Sequence, residues 1–271
     1  MSWAASYCAG LDPVPLSTRD DSMPMTILEA HDVSKSFWIP DEHRDTIREH
    51  VFAALRPRRL RKLPVLQSVS LALRKGESLG IMGANGSGKS TLLKLLCGIY
   101  VPDSGCIVAR AGITPILELG IGWNPELDAV DNIYLIGTLM GLSLSEVRRD
   151  LDAILEFAGL ATFAYLPVKH YSSGMAARLA YSVAFRAVRD VLILDEILAV
   201  GDAGFNTRCE ERYRQLRTKG HSTIIVSHNA DIVSRFCDRA LLLEEGRLVM
   251  NGPAHEVAAA YMSRLTQVAA R

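Results

Sequence analysis

The sequence predicts an α/β chain: a core built on a parallel sheet, a β-rich start and a long all-helical insertion. Three observations carry this. Two compact apolar runs, VLILDE (residues 191–196) and STIIVSH (222–228), read as strands covered on both faces. A glycine-rich turn, residues 83–90, follows the short apolar strand ESLGIMG and opens the helix STLLKLLCGIY. Between the turn and the first apolar run lie three helical patterns, NIYLIGTLMGL, SEVRRDLDAILEFAGL and GMAARLAYSVAFRAV.

In chain order, residues 1–24 are rich in Pro, Ser, Asp and Ala without periodicity and read as a flexible leader. From Ile27 the run ILEAHDVSKSF alternates like a strand. In the stretch after it, Ile47, Val51 and Leu55 fall at steps of four, the mark of a short amphipathic helix, which ends at Pro57 in the basic run RPRRLRK. LQSVSLALRKG alternates again, and ALLLEEGRLVMNG closes the pattern as a hairpin turning at Gly246. The expected division is one folded domain over 25–265, with a catalytic core at 25–125 and 190–265 and a helical subdomain at 126–189.

A chain of 271 residues, 49% of them hydrophobic, can bury a substantial core. Its 30 Lys plus Arg balance 30 Asp plus Glu, so no global field favours nucleic acid, and no nucleic-acid partner is expected. The five cysteines, Cys8, Cys97, Cys106, Cys209 and Cys237, are scattered without a C-x-x-C pair and read as buried reduced thiols. No stretch approaches the roughly 18 apolar residues of a membrane span, and the start lacks the features of a signal peptide. The expectation is a soluble intracellular chain whose membrane role, if any, comes through a partner.

The turn Gly83-Ala84-Asn85-Gly86-Ser87-Gly88-Lys89-Ser90 has the spacing of a phosphate-binding loop. Its glycines let backbone N–H groups turn inward onto phosphate oxygens, and the helix N-terminus adds its positive end. Lys89 reaches the β- and γ-phosphates, and the Ser90 hydroxyl serves Mg²⁺. VLILDE ends in two carboxylates: Asp195 is placed to hold the Mg²⁺ shell and Glu196 to polarise an attacking water. His228, at the tip of STIIVSH, is the candidate sensor of the γ-phosphate.

With these parts the sequence resembles the ABC-type ATPases from about Ile27 to about Ala260. The deciding motif is Tyr171-Ser172-Ser173-Gly174-Met175, ahead of the helix AARLAYSVAF, where that family carries its signature sequence. The resemblance implies an ABC-type P-loop nucleotide-binding fold: a RecA-like parallel-sheet core with an antiparallel β subdomain and an inserted helical subdomain. It implies ATP and Mg²⁺ as ligands, and a head-to-tail homodimer in which Ser172, Ser173 and Gly174 of one subunit close over ATP held by the other. Thr91 joins the phosphate contacts, Asp202 matches the loop that crosses between the two sites, and Phe37, with Trp38 as the alternative, matches the aromatic that stacks on adenine.

YSSGM with RLAY, DEILAVGD, and LELGIGWNPEL with DNIYL are similar to the ATPases of polysaccharide exporters. That likeness implies a peripheral subunit on the cytoplasmic face of the inner membrane, powering export of O-antigen, capsule or teichoic-acid chains through a separate multi-span permease. An exporter ATPase for a lipid or drug is the alternative. One departure stands out: the family's Q-loop glutamine is missing, and Glu118 in ILELGIG is the nearest candidate.

Overall fold

The computed structural model describes residues 5–8, 25–40, 60–116, 122–195 and 202–269. Two sheets and seven α-helices organise them. The first sheet is antiparallel. It contains β1 (Ala5–Cys8), β2 (Thr26–Pro40), β3 (Leu60–Arg74) and β5 (Ser104–Ala109), in the order β1-β5-β2-β3. The second contains β4 (Ser78–Met82), β6 (Ile113–Ile116), β7 (Val191–Asp195), β8 (Ser222–Val226), β9 (Arg239–Glu244) and β10 (Arg247–Pro253). Its order is β10-β9-β4-β8-β7-β6, parallel throughout except for the β9–β10 hairpin. That hairpin turns on Glu245 and Gly246, both at positive φ (45° and 75°), as a two-residue turn between twisted strands requires.

The parallel sheet is apolar on both faces because each is covered. Val191 and Ile193 of β7, Ile224 and Val226 of β8, and Leu241 and Leu243 of β9 point into one core. They meet helix α1 (Lys89–Leu96) and the inner face of the antiparallel sheet there. The intervening residues face the opposite way. Leu192, Leu194 and Ile225 pack on α4 (Ser173–Arg186) and α5 (Ala203–Thr218). Ala240 and Leu242 pack on α6 (Ala230–Phe236) and α7 (Ala254–Ala269). Period-two alternation with apolar residues on both phases is thus the reason VLILD and STIIV read as continuous apolar runs.

Helices α2 (Ala129–Leu139) and α3 (Leu144–Ala158) sit between β6 and β7 and share a separate core with α4. Each starts on a side-chain cap: Asp128 for α2, and for α3 a capping box in which Ser143 and Glu146 exchange hydrogen bonds. An ion pair closes this subdomain. The Asp150 carboxylate of α3 is almost buried and meets Arg186 of α4 and its neighbour Arg149, which hold it well below the usual carboxylate range.

The structure departs from the sequence reading at three points. Ala5–Cys8, inside the segment expected to be a flexible leader, forms a strand on the outer edge of β5. Cys106 is disulfide-bonded rather than a reduced thiol, and Cys8 stands opposite it in the β1–β5 register. Scattered positions in the sequence could not reveal a disulfide at Cys106. Cys97, Cys209 and Cys237 are free, and burial pushes each thiol up to about 12. Finally, α1 stops at Leu96, short of the GIY that the sequence assigned to it. The helix expected around Ile47, Val51 and Leu55 lies outside the described residues. Among the described residues no helix is long and apolar enough to cross a membrane.

Asp150→Asn keeps the shape of the carboxylate and removes its charge, leaving Arg186 without its partner. In urea titrations at pH 7 it should lose about 1–3 kcal/mol. Because the folded carboxyl titrates below its unfolded value, this stabilisation is complete above about pH 4 and fades as acid protonates the carboxylate. The gap between the variant and the parent chain should therefore close on acidification.

Candidate functional site

Three neighbouring strands deliver the candidate residues to one edge of the parallel sheet. β4 pairs with β8, and β8 with β7, with Ile81 and Asp195 both level with Val226. Parallel strands end at the same edge. So the loop from Gly83, the end of β7 at Asp195 and the Ser227–His228 turn emerge side by side, which is where α/β sheets bind ligands. β6 ends at the same edge, since Ile116 is level with Leu194. Glu118 and Glu196, which follow β6 and β7, lie outside the described residues.

The loop after β4 is shaped by close backbone approach. At Gly83 a Cβ would come within 2.3 Å of the Leu243 carbonyl oxygen. At Gly88, φ is +105° and a Cβ would come within 2.8 Å of Leu66 and 2.9 Å of the Val65 carbonyl oxygen. Neither position can carry a side chain. Asn85, Gly86 and Ser90 are exposed and Thr91 half-buried, while Ser87 and Lys89 are buried. The Lys89 ammonium donates to the carbonyl oxygens of Gly83 (2.8 Å) and Ala84 (2.9 Å), folding back over the loop.

Two features of this loop fit a phosphate ligand. The Ser87 Oγ is buried in the cradle with no hydrogen-bond partner, an arrangement that costs stability unless something supplies one. Helix α1 has no side-chain cap and no acidic residue in its first turn, whereas α2 to α6 each begin on Asp128, Ser143, Ser172, Asp202 or Asn229. The positive N-terminal end of α1 is therefore not met by any acidic side chain of its own first turn, which suits an anion.

The signature turn is at the other end of the helical region. Ser172 caps α4, its hydroxyl accepting from the Met175 N–H at 3.2 Å, and Ser173 is the first helical residue. Ser172 and Ser173 are exposed and Gly174 is half-buried, where an added Cβ would meet only the Ser172 Oγ, at 3.9 Å. Asp202 is exposed and caps α5, accepting from the Phe205 N–H at 2.8 Å. Its other oxygen meets Arg178 of α4 at 3.2 Å, a contact the sequence reading missed because 24 residues separate the two. The Phe205 N–H, with Arg178 and Arg208 nearby, keeps this carboxyl ionised.

Phe37 and Trp38 separate cleanly. Phe37 is half-buried and meets the ring of Tyr100, whereas Trp38 points to the other side of the hairpin and is 64% exposed. On β3, Leu63 pairs with Phe37, and two residues on, Val65 lies against Gly88. Phe37 therefore sits along the strand that braces the phosphate loop. The Glu245–Gly246 turn between β9 and β10 braces the loop as well, as Gly246 donates its N–H to the Ser87 carbonyl at 3.0 Å.

Gly88→Ala should abolish nucleotide binding in a fluorescence titration while leaving the circular dichroism spectrum unchanged. A Cβ there demands a left-handed conformation and pushes into the Val65 backbone, which cannot move aside.

Comparison with known proteins shows the family. A family profile described as ABC transporter matches residues 66–199. The chain is 37% identical over 238 residues to the O-antigen export system ATP-binding protein RfbB of Klebsiella pneumoniae, spanning 87% of this chain and 97% of that one. It is 41% identical to the ABC transporter protein AbcA of Aeromonas salmonicida, over 85% of this chain and 74% of the relative. The teichoic acids export ATP-binding protein TagH of Bacillus cereus is 38% identical over 74% of this chain and 37% of its own length. Among solved structures, an ATP-binding subunit of an ABC transporter superposes with a TM-score of 0.69 at 23% identity, covering 87% of this chain and 93% of that one. The cassette MJ0796, in a dimeric post-hydrolysis state with ADP and Pi, gives 0.67 at 20% identity, covering 84% and 99%. The chain belongs to the ABC transporter family as an ATP-hydrolysing subunit, alongside the O-antigen and teichoic acid export ATP-binding proteins.

Proposed function

We propose that this chain powers export of a polysaccharide or lipid-linked glycan, working as a homodimer on the cytoplasmic face of the inner membrane with a separate multi-span permease. The observation that carries the cargo is its match to RfbB over 97% of that protein's length. The relatives favour a glycan over the lipid or drug alternative.

ATP is the substrate. The Gly83–Thr91 segment would hold its phosphates, with Lys89 exchanging the carbonyls of Gly83 and Ala84 for β- and γ-oxygens and Ser87 gaining the partner it lacks. Ser90 and Asp195 are the residues that would hold Mg²⁺, which when bound neutralises charge on the phosphates. Glu196 would orient the attacking water and accept its proton, with His228 near the γ-phosphate. The exposed Ser172, Ser173 and Gly174 turn at the start of α4 supports a role toward the partner's nucleotide, with Asp202 beside the crossing point. ATP that touches both subunits binds the closed dimer better than the open one, and a difference of about 5.5 kcal/mol moves the equilibrium from mostly open to mostly closed.

Glu196→Gln should hold ATP without cleaving it, so the variant should elute as a dimer in Mg²⁺-ATP on a sizing column. A variant that stays monomeric would sink the sandwich account. In cells, Lys89→Ala should remove surface polysaccharide and accumulate it inside. Normal surface staining would leave the ATPase chemistry standing and reject the cargo.

A further inference from the structure

The aromatic ring read as the base-stacking residue does not stand alone. The β2 segment Ser34–Phe37 is bound to the connection between α1 and β5 by four hydrogen bonds. The Asp103 N–H donates to the Ser34 carbonyl at 2.8 Å, and the Ser36 N–H donates to Asp103 Oδ2 at 2.8 Å. The Lys35 ammonium donates to Asp103 Oδ1 at 2.9 Å and to the Val101 carbonyl at 2.8 Å. Burial alone would raise the Asp103 carboxyl, but the Lys35 and Ser36 bonds outweigh it and hold it ionised. Within the same connection, Tyr100 meets Phe37 with ring centroids 5.5 Å apart and planes at 67°. Lys35 Nζ stands 5.8 Å from the centre of the Phe37 ring, and Lys94 Nζ stands 5.9 Å from that of Tyr100. Cation, ring, ring and cation follow one another from β2 to α1.

We infer that Tyr100, with Lys35 and Asp103, is the positioning set that fixes the plane of Phe37 and thereby the protein's grip on the base of its nucleotide. This rests on Phe37 as the base-stacking residue. A half-exposed phenylalanine at the end of a hairpin would otherwise sample several rotamers, and each bound base would have to select one. Edge-to-face contact with Tyr100 and the ammonium over the ring restrict those rotamers before the base arrives. The four bonds to the Val101–Asp103 turn fix the backbone from which the ring projects. Trp38, on the opposite phase of the strand, has Lys62 as its cross-strand neighbour and lies outside this set. The effect acts on the base and leaves the phosphate loop untouched, because Tyr100 lies beyond the C-terminal end of α1 and the loop lies at its start.

The test compares two ligands on the full chain: ATP, and inorganic tripolyphosphate, which carries the phosphates and no base. Tyr100→Ala should weaken ATP binding about 3- to 10-fold and leave tripolyphosphate within about twofold. Tyr100→Phe, which keeps the ring, should restore ATP affinity. Tyr100→Leu, which keeps apolar bulk without the ring, should behave like alanine and guards against a folding defect. Phe37→Ala should weaken ATP at least as much, and adding Tyr100→Ala to it should cost nothing more, since Tyr100 acts through Phe37. ATP affinity unchanged in Tyr100→Ala, or equal loss for both ligands, would overturn the inference while leaving base stacking intact. Wild-type ATP affinity in Phe37→Ala would reject base stacking itself, and the positioning set with it.

Discussion

The ladder between β4, β8 and β7 is the constraint on which the rest of the structure depends. Three parallel strands in register must end at the same edge, and their backbone groups are satisfied only within the sheet. The polar groups of the candidate site therefore stand at or beyond the strand ends at Met82, Asp195 and Val226. The price is that both sheet faces must be covered, which is what α1 with the antiparallel sheet does on one side and α4 to α7 on the other. Ser78, Thr223 and Tyr213 show how few polar groups remain inside: the Tyr213 hydroxyl bonds Ser78, Thr223 and the Phe236 carbonyl, so all are satisfied.

The loop after β4 is governed by a different limit. A lysine at 7% exposure must find partners for its ammonium, and it finds two carbonyls of its own loop. These bonds hold the loop folded beneath the ammonium, and in the proposed function phosphate oxygens would take the place of the two carbonyls. Gly83 and Gly88 enforce that shape from outside, since backbone of β9 and β3 occupies the space a side chain would need. The loop is thus held both by its neighbours and by its own hydrogen bonds, from the Lys89 ammonium to Gly83 and Ala84 and from the Ser87 N–H to the Ala84 carbonyl.

Much of this was legible in the residues. Apolar runs announced β7 and β8, and glycine spacing announced the loop. What was not legible has physical causes. Helix α5 was passed over because its apolar residues, Phe205, Cys209, Tyr213 and Leu216, are outnumbered by charged ones, although they recur on one face at steps of four, four and three. The β1–β5 pairing joins segments about 100 residues apart, and nothing local in Ala5–Cys8 specifies its partner. Tyr100 was absorbed into the pattern of α1 because it follows an apolar helical run. Only the fold shows that the helix has ended and that the ring turns back to Phe37.

The distribution of cores separates what is rigid from what can move. One core contains α1, the inner face of the parallel sheet and the antiparallel sheet, so the phosphate loop and the Phe37 hairpin are carried by a single packed body. The helical subdomain has its own core, and α4 belongs to two. Leu179 and Val183 pack on α2 and α3, while Tyr181, Ala184 and Phe185 pack against β7 and α5. At 14 residues α4 is about 21 Å long, with its later turns rooted in the catalytic core and its first turn exposed to solvent. A rotation of α2 and α3 about that root displaces Ser172 and Ser173 most and the phosphate loop least. In the homodimer proposed here, such a rotation would move one subunit's Ser172–Gly174 turn relative to a nucleotide that stays on the other subunit's sheet.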